Sequence, residues 1–314
     1  MKIFFATDLQ GSDVCFKKLL NAGRFYGADV VIMGGDISGK AVVPIVKKSN
    51  GVYFAHFQNS ELSMSSEAEV RQFTQKLRDI GFYPYVTDID QMERLSESRP
   101  EADLIFRTLI VETVERWVQL ADQKLAGSGI RFLFILGNDD DYFVDEALAQ
   151  SRTMENVDGR VIRLDEGHEM LNLGASNETP WHTPRELSED EIHLRLEGMA
   201  GTVEDMSSCI FNIHVPPFNS KIDECADLDE NLRVISRVGQ TQMKSAGSKA
   251  VRAAIEKSQP LLGLFAHIHE GRGYIKIGRT LCINPGSNYT EGILNGALIT
   301  LGNGKIQDFQ LTTG

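Results

Sequence analysis

The chain has 314 residues, 42% of them hydrophobic, with 32 Lys and Arg against 44 Asp and Glu, a formal net charge of −12. That length fills a sizeable core in one large domain, with or without an insertion. The acidity and the scatter of the basic residues argue against a nucleic-acid partner, because affinity for a phosphate backbone needs a positive field.

The apolar run within Met1 to Asp8 is too short for a signal peptide, and no apolar segment approaches the roughly 18 residues that cross a membrane. No membrane partner is expected, and the expected location is cytoplasmic. Cys15, Cys209, Cys225 and Cys282 show neither close pairing nor Cys-x-x-Cys spacing, which fits free thiols in a reducing compartment.

The first 40 residues read as strand, helix, strand: Ile3 to Ala6, a helix over about 13 to 25, then Asp29 to Met33 entering Gly34-Gly35-Asp36. Such a βαβ unit predicts a parallel pair. Between Gly39 and Gly129 the strand rhythm stops. Tyr53 to Phe57 is expected as one strand of a hairpin, and a Ser66-x-x-Glu69 capping box opens a helix with Val70, Phe73, Leu77 and Ile80 on one face. Gly81-Phe-Tyr-Pro-Tyr85 reads as a Pro-broken aromatic turn, packed under a loop or exposed to grip a ligand. A longer helix over about 102 to 126 spaces Phe106, Ile110, Val114, Trp117 and Ala121 as a core stripe.

From Ile130 to Leu136 the apolar run is nearly continuous, as in parallel strands buried on both faces. The expectation is therefore one domain over 1–314, with a mainly helical, cap-like insertion at 41–128 and a smaller one at 174–206. In the second insertion Ser188 and Glu191 form a capping box, with Leu187 and Ile192 at the hydrophobic-staple positions. The carboxyl third alternates strands and turns: Gly271 to Ile277 against Thr280 to Ile283, then Ala297 to Leu301 against Lys305 to Leu311 around Gly302-Asn-Gly304.

Five of the apolar runs end in polar motifs. Asp8-Leu9-Gln10 follows Ile3 to Ala6, Gly35-Asp36 follows Val30 to Met33, and Gly137-Asn138-Asp139-Asp140 follows Ile130 to Leu136. His214 follows Cys209 to Ile213, and His267-Ile268-His269 follows Leu261 to Ala266. Strand ends of this kind are where open α/β sheets build their sites. Asp8 with Gln10, and His267 with His269, stand two apart and project to one side. Asp36 has two oxygens able to bridge cations, Asn138 offers an amide oxygen, and the imidazoles suit transition metals. Singly, an Asp after a strand is more often a helix cap and a His a structural residue; His56, His168, His182 and His193 take that reading. Five in order at strand ends point to a two-metal site.

On these residues the chain resembles the calcineurin-like metallophosphoesterase superfamily, whose pattern runs Asp-x-His, Gly-Asp, Gly-Asn-His-Asp or Glu, His, and Gly-His-x-His. Ile283-Asn-Pro-Gly-Ser287 also looks like the turn that many members carry there. The resemblance covers residues 1 to 40 and 130 to 311; Asp8-Leu-Gln-Gly-Ser12 and His269-Glu270 look closest to uncharacterised bacterial members. It implies an α/β fold, a four-layer α/β/β/α sandwich of two mixed sheets flanked by helices. It further implies that Asp8, Gln10, Asp36 and His269 hold one metal and Asp36, Asn138, His214 and His267 the other, with Asn138, Asp139 and His214 in the catalytic set. The implied cofactors are two divalent ions, Mn favoured among Mn, Fe, Zn and Mg.

The implied activity is hydrolysis of a phosphomonoester or phosphodiester by a metal-activated water, with a small phosphorylated substrate as partner. Homodimerisation is left open. Two departures stand out. Gln10 occupies a histidine position and should weaken the first site, and Asp139 occupies the position of a histidine that assists the leaving group, where an ordinary carboxyl is a poor acid near neutrality. They leave an alternative, a metal-binding scaffold or interaction protein of the same fold with weak or no hydrolase activity. A nuclease would need a basic groove, which the chain does not supply.

Overall fold

The computed structural model describes residues 1–314. Two six-stranded sheets form its centre. In the first, the strands run in the order Lys305–Thr313, Asn295–Gly302, Lys2–Ala6, Val30–Gly34, Arg131–Ile135, Met154–Asn156. The last four are mutually parallel, and the carboxyl-terminal hairpin adds two antiparallel strands at the edge. The second runs Gly273–Ile277, Thr280–Asn284, Leu262–Leu264, Ile210–Ile213, His168–Leu173, Val161–Asp165. Its four central strands are parallel and both edges antiparallel.

Side-chain alternation explains why the strands read as unbroken apolar runs. Ile3 and Phe5, with Val30 and Ile32, face Met170, Ile210, Leu262 and Ile283 between the sheets. The intervening Phe4, Ala6, Val31 and Met33 face outward into a helical layer. Leu171, Phe211 and Ile213 do the same on the far side, against Ile192, Leu196, Val251 and Ile255 of helices Glu189–Ala200 and Lys249–Ser258. The central parallel strands are buried on both faces, so period-2 alternation disappears from their sequence, while the edge strands Gly273–Ile277 and Lys305–Thr313 keep one exposed face. The result is the expected α/β/β/α sandwich of two mixed sheets flanked by helices.

The first helical layer joins Asp13–Tyr26 to the long helix Arg99–Leu125. Phe16 stacks on Trp117 with ring centroids 4.2 Å apart. Beside it the buried Asp13 carboxylate accepts from Trp117 Nε1 at 2.6 Å and from Arg116 at 2.7 Å. Ile110, Val114, Trp117 and Ala121 are core, as their spacing predicts, so this part of the 41–128 segment belongs to the main sandwich.

Helices supply most of the residues of that segment, but it also holds a four-stranded sheet that the sequence reading did not anticipate. Its order is Ser60–Met64, Tyr53–Phe57, Ala41–Lys47, Phe82–Asp88. The hairpin expected at Tyr53 is there. The expected aromatic turn at 81–85 is instead the start of an edge strand parallel to Ala41–Lys47, and an edge is where a sheet tolerates a proline such as Pro84. Tyr83 is buried, its hydroxyl accepting from Gly39 N–H at 2.7 Å.

Of the two predicted capping boxes, Ser188 and Glu191 form theirs in full. At helix Glu67–Asp79 Ser66 caps Glu69 N–H, but Glu69 reaches back one residue further, to Ser65 N–H at 2.8 Å. All four cysteines are free. No helix is long and apolar enough to cross a membrane.

Candidate metal centre

The loops after five parallel strands converge at one end of the sandwich. Main-chain bonds tie them: Asp8 N–H to Gly35 O at 3.1 Å, Gln10 N–H to Asp36 O at 3.0 Å, and Ala266 N–H to His214 O at 2.8 Å. Asp8, Gln10, Asp36 and His267 all have positive φ, between 46° and 66°. Left-handed backbone at non-glycine residues costs of order 1–3 kcal/mol each and persists where surrounding structure imposes it, above all at functional sites.

Asp36, His214 and His267 bring their ligand atoms within 4.8 Å of one another and form a group able to hold a metal ion. His214 Nε2 lies 3.4 Å from Asp36 Oδ1 and 3.1 Å from Asn138 Oδ1, while its Nδ1 is fixed by Gly34 O at 2.8 Å. The four residues expected to share one ion therefore meet. The other predicted set is less closely gathered. Asp8 pairs with His269 at 3.6 Å and accepts from His267 N–H at 3.2 Å, and His269 packs edge-on against Tyr289.

Gln10 turns its amide nitrogen toward Asp36 at 2.9 Å and Asp139 at 3.1 Å, leaving Oε1 buried without a partner. Rotating the amide by 180° would set that oxygen against two carboxylates, a repulsive arrangement unless a cation lies among them. A buried acceptor left without a partner in this orientation, on an amide that lies against Asp36 and Asp139, fits a metal once the amide is turned.

The charges are coupled. Burial works against ionisation of Asp8, yet the hydrogen bond and charge of His269 prevail and hold its carboxyl at about 2. Burial pushes Asp36 up to about 7, with the pull of His214 only partly offsetting it. For His214 burial favours the neutral ring, but Asp36 overrides it and raises the group to about 10. His267 is driven down to about 3, by burial first and then by the charge of His214. Asp139 is partly buried, which raises it, but Lys40 at 2.5 Å holds it below the usual carboxylate range. As a carboxylate at neutral pH, Asp139 has no proton to donate to a leaving group.

Several contributors have a role that the sequence does not assign them, Asp140, Asn284 and Ser287 although their motifs stand out, and Thr183 and Lys40 without any signal. Asp140 accepts from Ile37 N–H, Ser38 N–H and Oγ, and Gly137 N–H at 2.7–3.1 Å, clamping the Asp36 loop to the Asn138 loop. Asn284 donates to Ala266 O and Ile268 O, and Ser287 Oγ to Asp8 O at 2.7 Å, so the 283–287 turn holds the histidine loop. Thr183, from the second insertion, accepts from Asn138 Nδ2 at 2.9 Å. Lys40 follows Asp36 by only four residues, but nothing in its spacing marks it. His56, His168 and His193 pair with nearby carboxylates and His182 is exposed on a loop, which leaves all four outside the centre.

The centre opens into a cleft of about 1430 Å³ lined by Lys40, Phe106, Tyr142, Trp181 and Lys244, among others. None of Phe82, Tyr83 and Tyr85 lines it; Phe106, from the predicted core stripe, does.

No family model matches the chain. The uncharacterised protein MJ1162 of Methanocaldococcus jannaschii is 30% identical over 177 residues, 56% of this chain and 70% of its own. The chain belongs to the MJ1162 family. That relative is archaeal, and it brings no activity with it. Two solved structures share the fold alone. One has a TM-score of 0.57 at 12% identity, covering 99% of this chain and 98% of its own. The other, TT1561 of Thermus thermophilus, has a TM-score of 0.50 at 15% identity, covering 100% and 97%.

Proposed function

We propose that the protein is a metal-dependent phosphoesterase, hydrolysing a small phosphomonoester or phosphodiester at the centre formed by Asp8, Gln10, Asp36, Asn138, His214, His267 and His269. The observation that carries the reading is the convergence of Asp36, His214 and His267 beneath a cleft that Asp36 and His267 line, with the Gln10 amide hydrogen-bonded to Asp36. Asp36, Asn138, His214 and His267 would hold one divalent ion; Asp8 and His269, with Gln10 after its amide turns, would hold the second. Mn is favoured, because mixed nitrogen and oxygen donors with an amide in each set, Asn138 in one and Gln10 in the other, suit a borderline-hard ion.

Bound there, divalent ions supply an activated water and positive charge against the phosphate oxygens. The chain's own residues do the rest. His214 is held in one orientation by Gly34 O, and Asp36 by Asp139 N–H at 3.1 Å. Lys40 faces the cleft with half its side chain exposed, placed to leave Asp139 for a phosphate oxygen. The ester oxygen that departs takes its proton from solvent or substrate, since Asp139 is ionised. Asp103, Phe106 and Arg107 of the long helix, with the 174–206 segment, line the cleft and stand as the parts that set substrate choice.

The test is turnover of para-nitrophenyl phosphate and bis-para-nitrophenyl phosphate by protein stripped of metal and reloaded with Mn, Mg, Fe, Ni or Zn. Metal-dependent hydrolysis abolished by His214→Ala supports the enzyme and separates monoesterase from diesterase. Tight metal binding with no turnover of either compound supports the scaffold alternative.

A further inference from the structure

The second insertion carries an exposed tryptophan on an unusually well-fastened loop. Glu186 takes both the N–H and the hydroxyl of Thr179 and of Thr183. Thr183 accepts from the metal-centre residue Asn138, and Arg185 is bonded to Asn138 O at 3.2 Å and, through Nε, to Asp140 O at 2.6 Å. Loop 179–186 is thus stapled to the loop bearing Asn138. Trp181 stands at its tip, 60% exposed, and lines the cleft. On the other loop Tyr142 is 61% exposed, lines the same cleft, and has the Arg185 guanidinium 4.3 Å from its ring centroid.

Single exposed aromatics need no explanation. Two in one cleft, on loops cross-linked to each other and to a metal-centre residue, do, because nothing in the fold requires Trp181 to be apolar. At about 1430 Å³ the cleft also exceeds the roughly 300–1000 Å³ that ordinary small-molecule sites occupy. An ester consisting of little more than phosphate would leave most of it empty.

We propose that Trp181 and Tyr142 form an aromatic platform for the planar ring of the substrate, making that substrate a nucleotide or a comparable heteroaromatic phosphate ester. This rests on the phosphoesterase reading and adds the leaving side to it: phosphate at the metal centre, ring against the stapled loops. Stacking of a base on an aromatic side chain is sequence-tolerant and strong enough to dominate the choice between ring-bearing and aliphatic esters.

The chain has two tryptophans, and Trp117 is buried at 3% exposure against Phe16, so ligand-dependent changes in indole emission report on Trp181. Metal-loaded protein is titrated with adenosine 5′-monophosphate, ribose 5-phosphate and inorganic phosphate. The nucleotide alone should quench saturably, and Trp181→Phe should remove the change in tryptophan emission. In Trp181→Ala the kcat/KM preference for the nucleotide over ribose 5-phosphate should fall about tenfold. Absence of quenching, or an unchanged preference in Trp181→Ala, overturns the platform even where both esters are hydrolysed. If neither ester is hydrolysed with any metal, the phosphoesterase reading fails, and the quenching arm still decides whether the ring site exists.

Discussion

Replacing Asp140 by Ala should damage the metal centre without removing any of its ligands. The carboxylate is fully buried and receives three backbone N–H groups and one hydroxyl, from Ile37, Ser38 and Gly137. Alanine leaves all four donors in a dry interior. Each unsatisfied buried group costs about 1–3 kcal/mol, and allowing for partial relaxation the sum is about 4 kcal/mol, a large share of the ~5–15 kcal/mol that holds a typical domain folded. Asp140→Asn keeps one acceptor but turns an NH2 toward N–H donors, so it should cost about half as much. The loops joined by Asp140 carry Asp36 and Asn138, so metal content should fall along with stability. Urea unfolding of the metal-free protein gives the first quantity and elemental analysis of reloaded protein the second. A loss below ~1 kcal/mol with full metal content in Asp140→Ala would refute the clamp.

Other outcomes follow from the same geometry. A Cβ at Gly137 would lie 2.1 Å from Asp36 Oδ1 and 2.7 Å from His214 Cε1, so Gly137→Ala should abolish metal binding. As a control for backbone entropy, Gly198→Ala has open space on the exposed face of its helix and should stabilise by about 0.5–1 kcal/mol in the same unfolding assay. Metal uptake should release protons, because, without a metal, burial and their mutual charge hold His214 at about 10 and Asp36 at about 7 and both must give up their protons to bind. Affinity should therefore rise with pH from 6 to 9, measured by calorimetry in buffers of different ionisation enthalpy; a flat profile removes His214 from the ligand set. Gln10→His should raise zinc affinity about tenfold in chelator competition, and no change would mean that Gln10 acts only as a hydrogen-bond donor to Asp36 and Asp139.

Much of this was legible in the chain itself. The apolar runs marked the central strands because these are buried on both faces, and the polar residue just past each run marked a loop at one end of the sandwich. That rule found Asp8, Gln10, Asp36, Asn138, His214, His267 and His269 as candidates, since position along a strand is a local property. What the chain could not reveal was which partner each side chain meets. The Gln10 amide points its nitrogen at two carboxylates from loops 26 and 129 residues away. Asp140, one residue beyond Asp139, spends its carboxylate on Ile37, Ser38 and Gly137 and clamps the two loops together. The strands at 41–47 and 82–88 pair across 40 residues, so neither was recognisable without the other, and Pro84 disguised the second. Trp181 reaches the cleft only because Glu186 and Thr183 fasten its loop to Asn138. Periodicity and residue chemistry determine elements and candidate ligands; which loops are brought into hydrogen-bonding distance depends on long-range packing, and only the folded chain decides it.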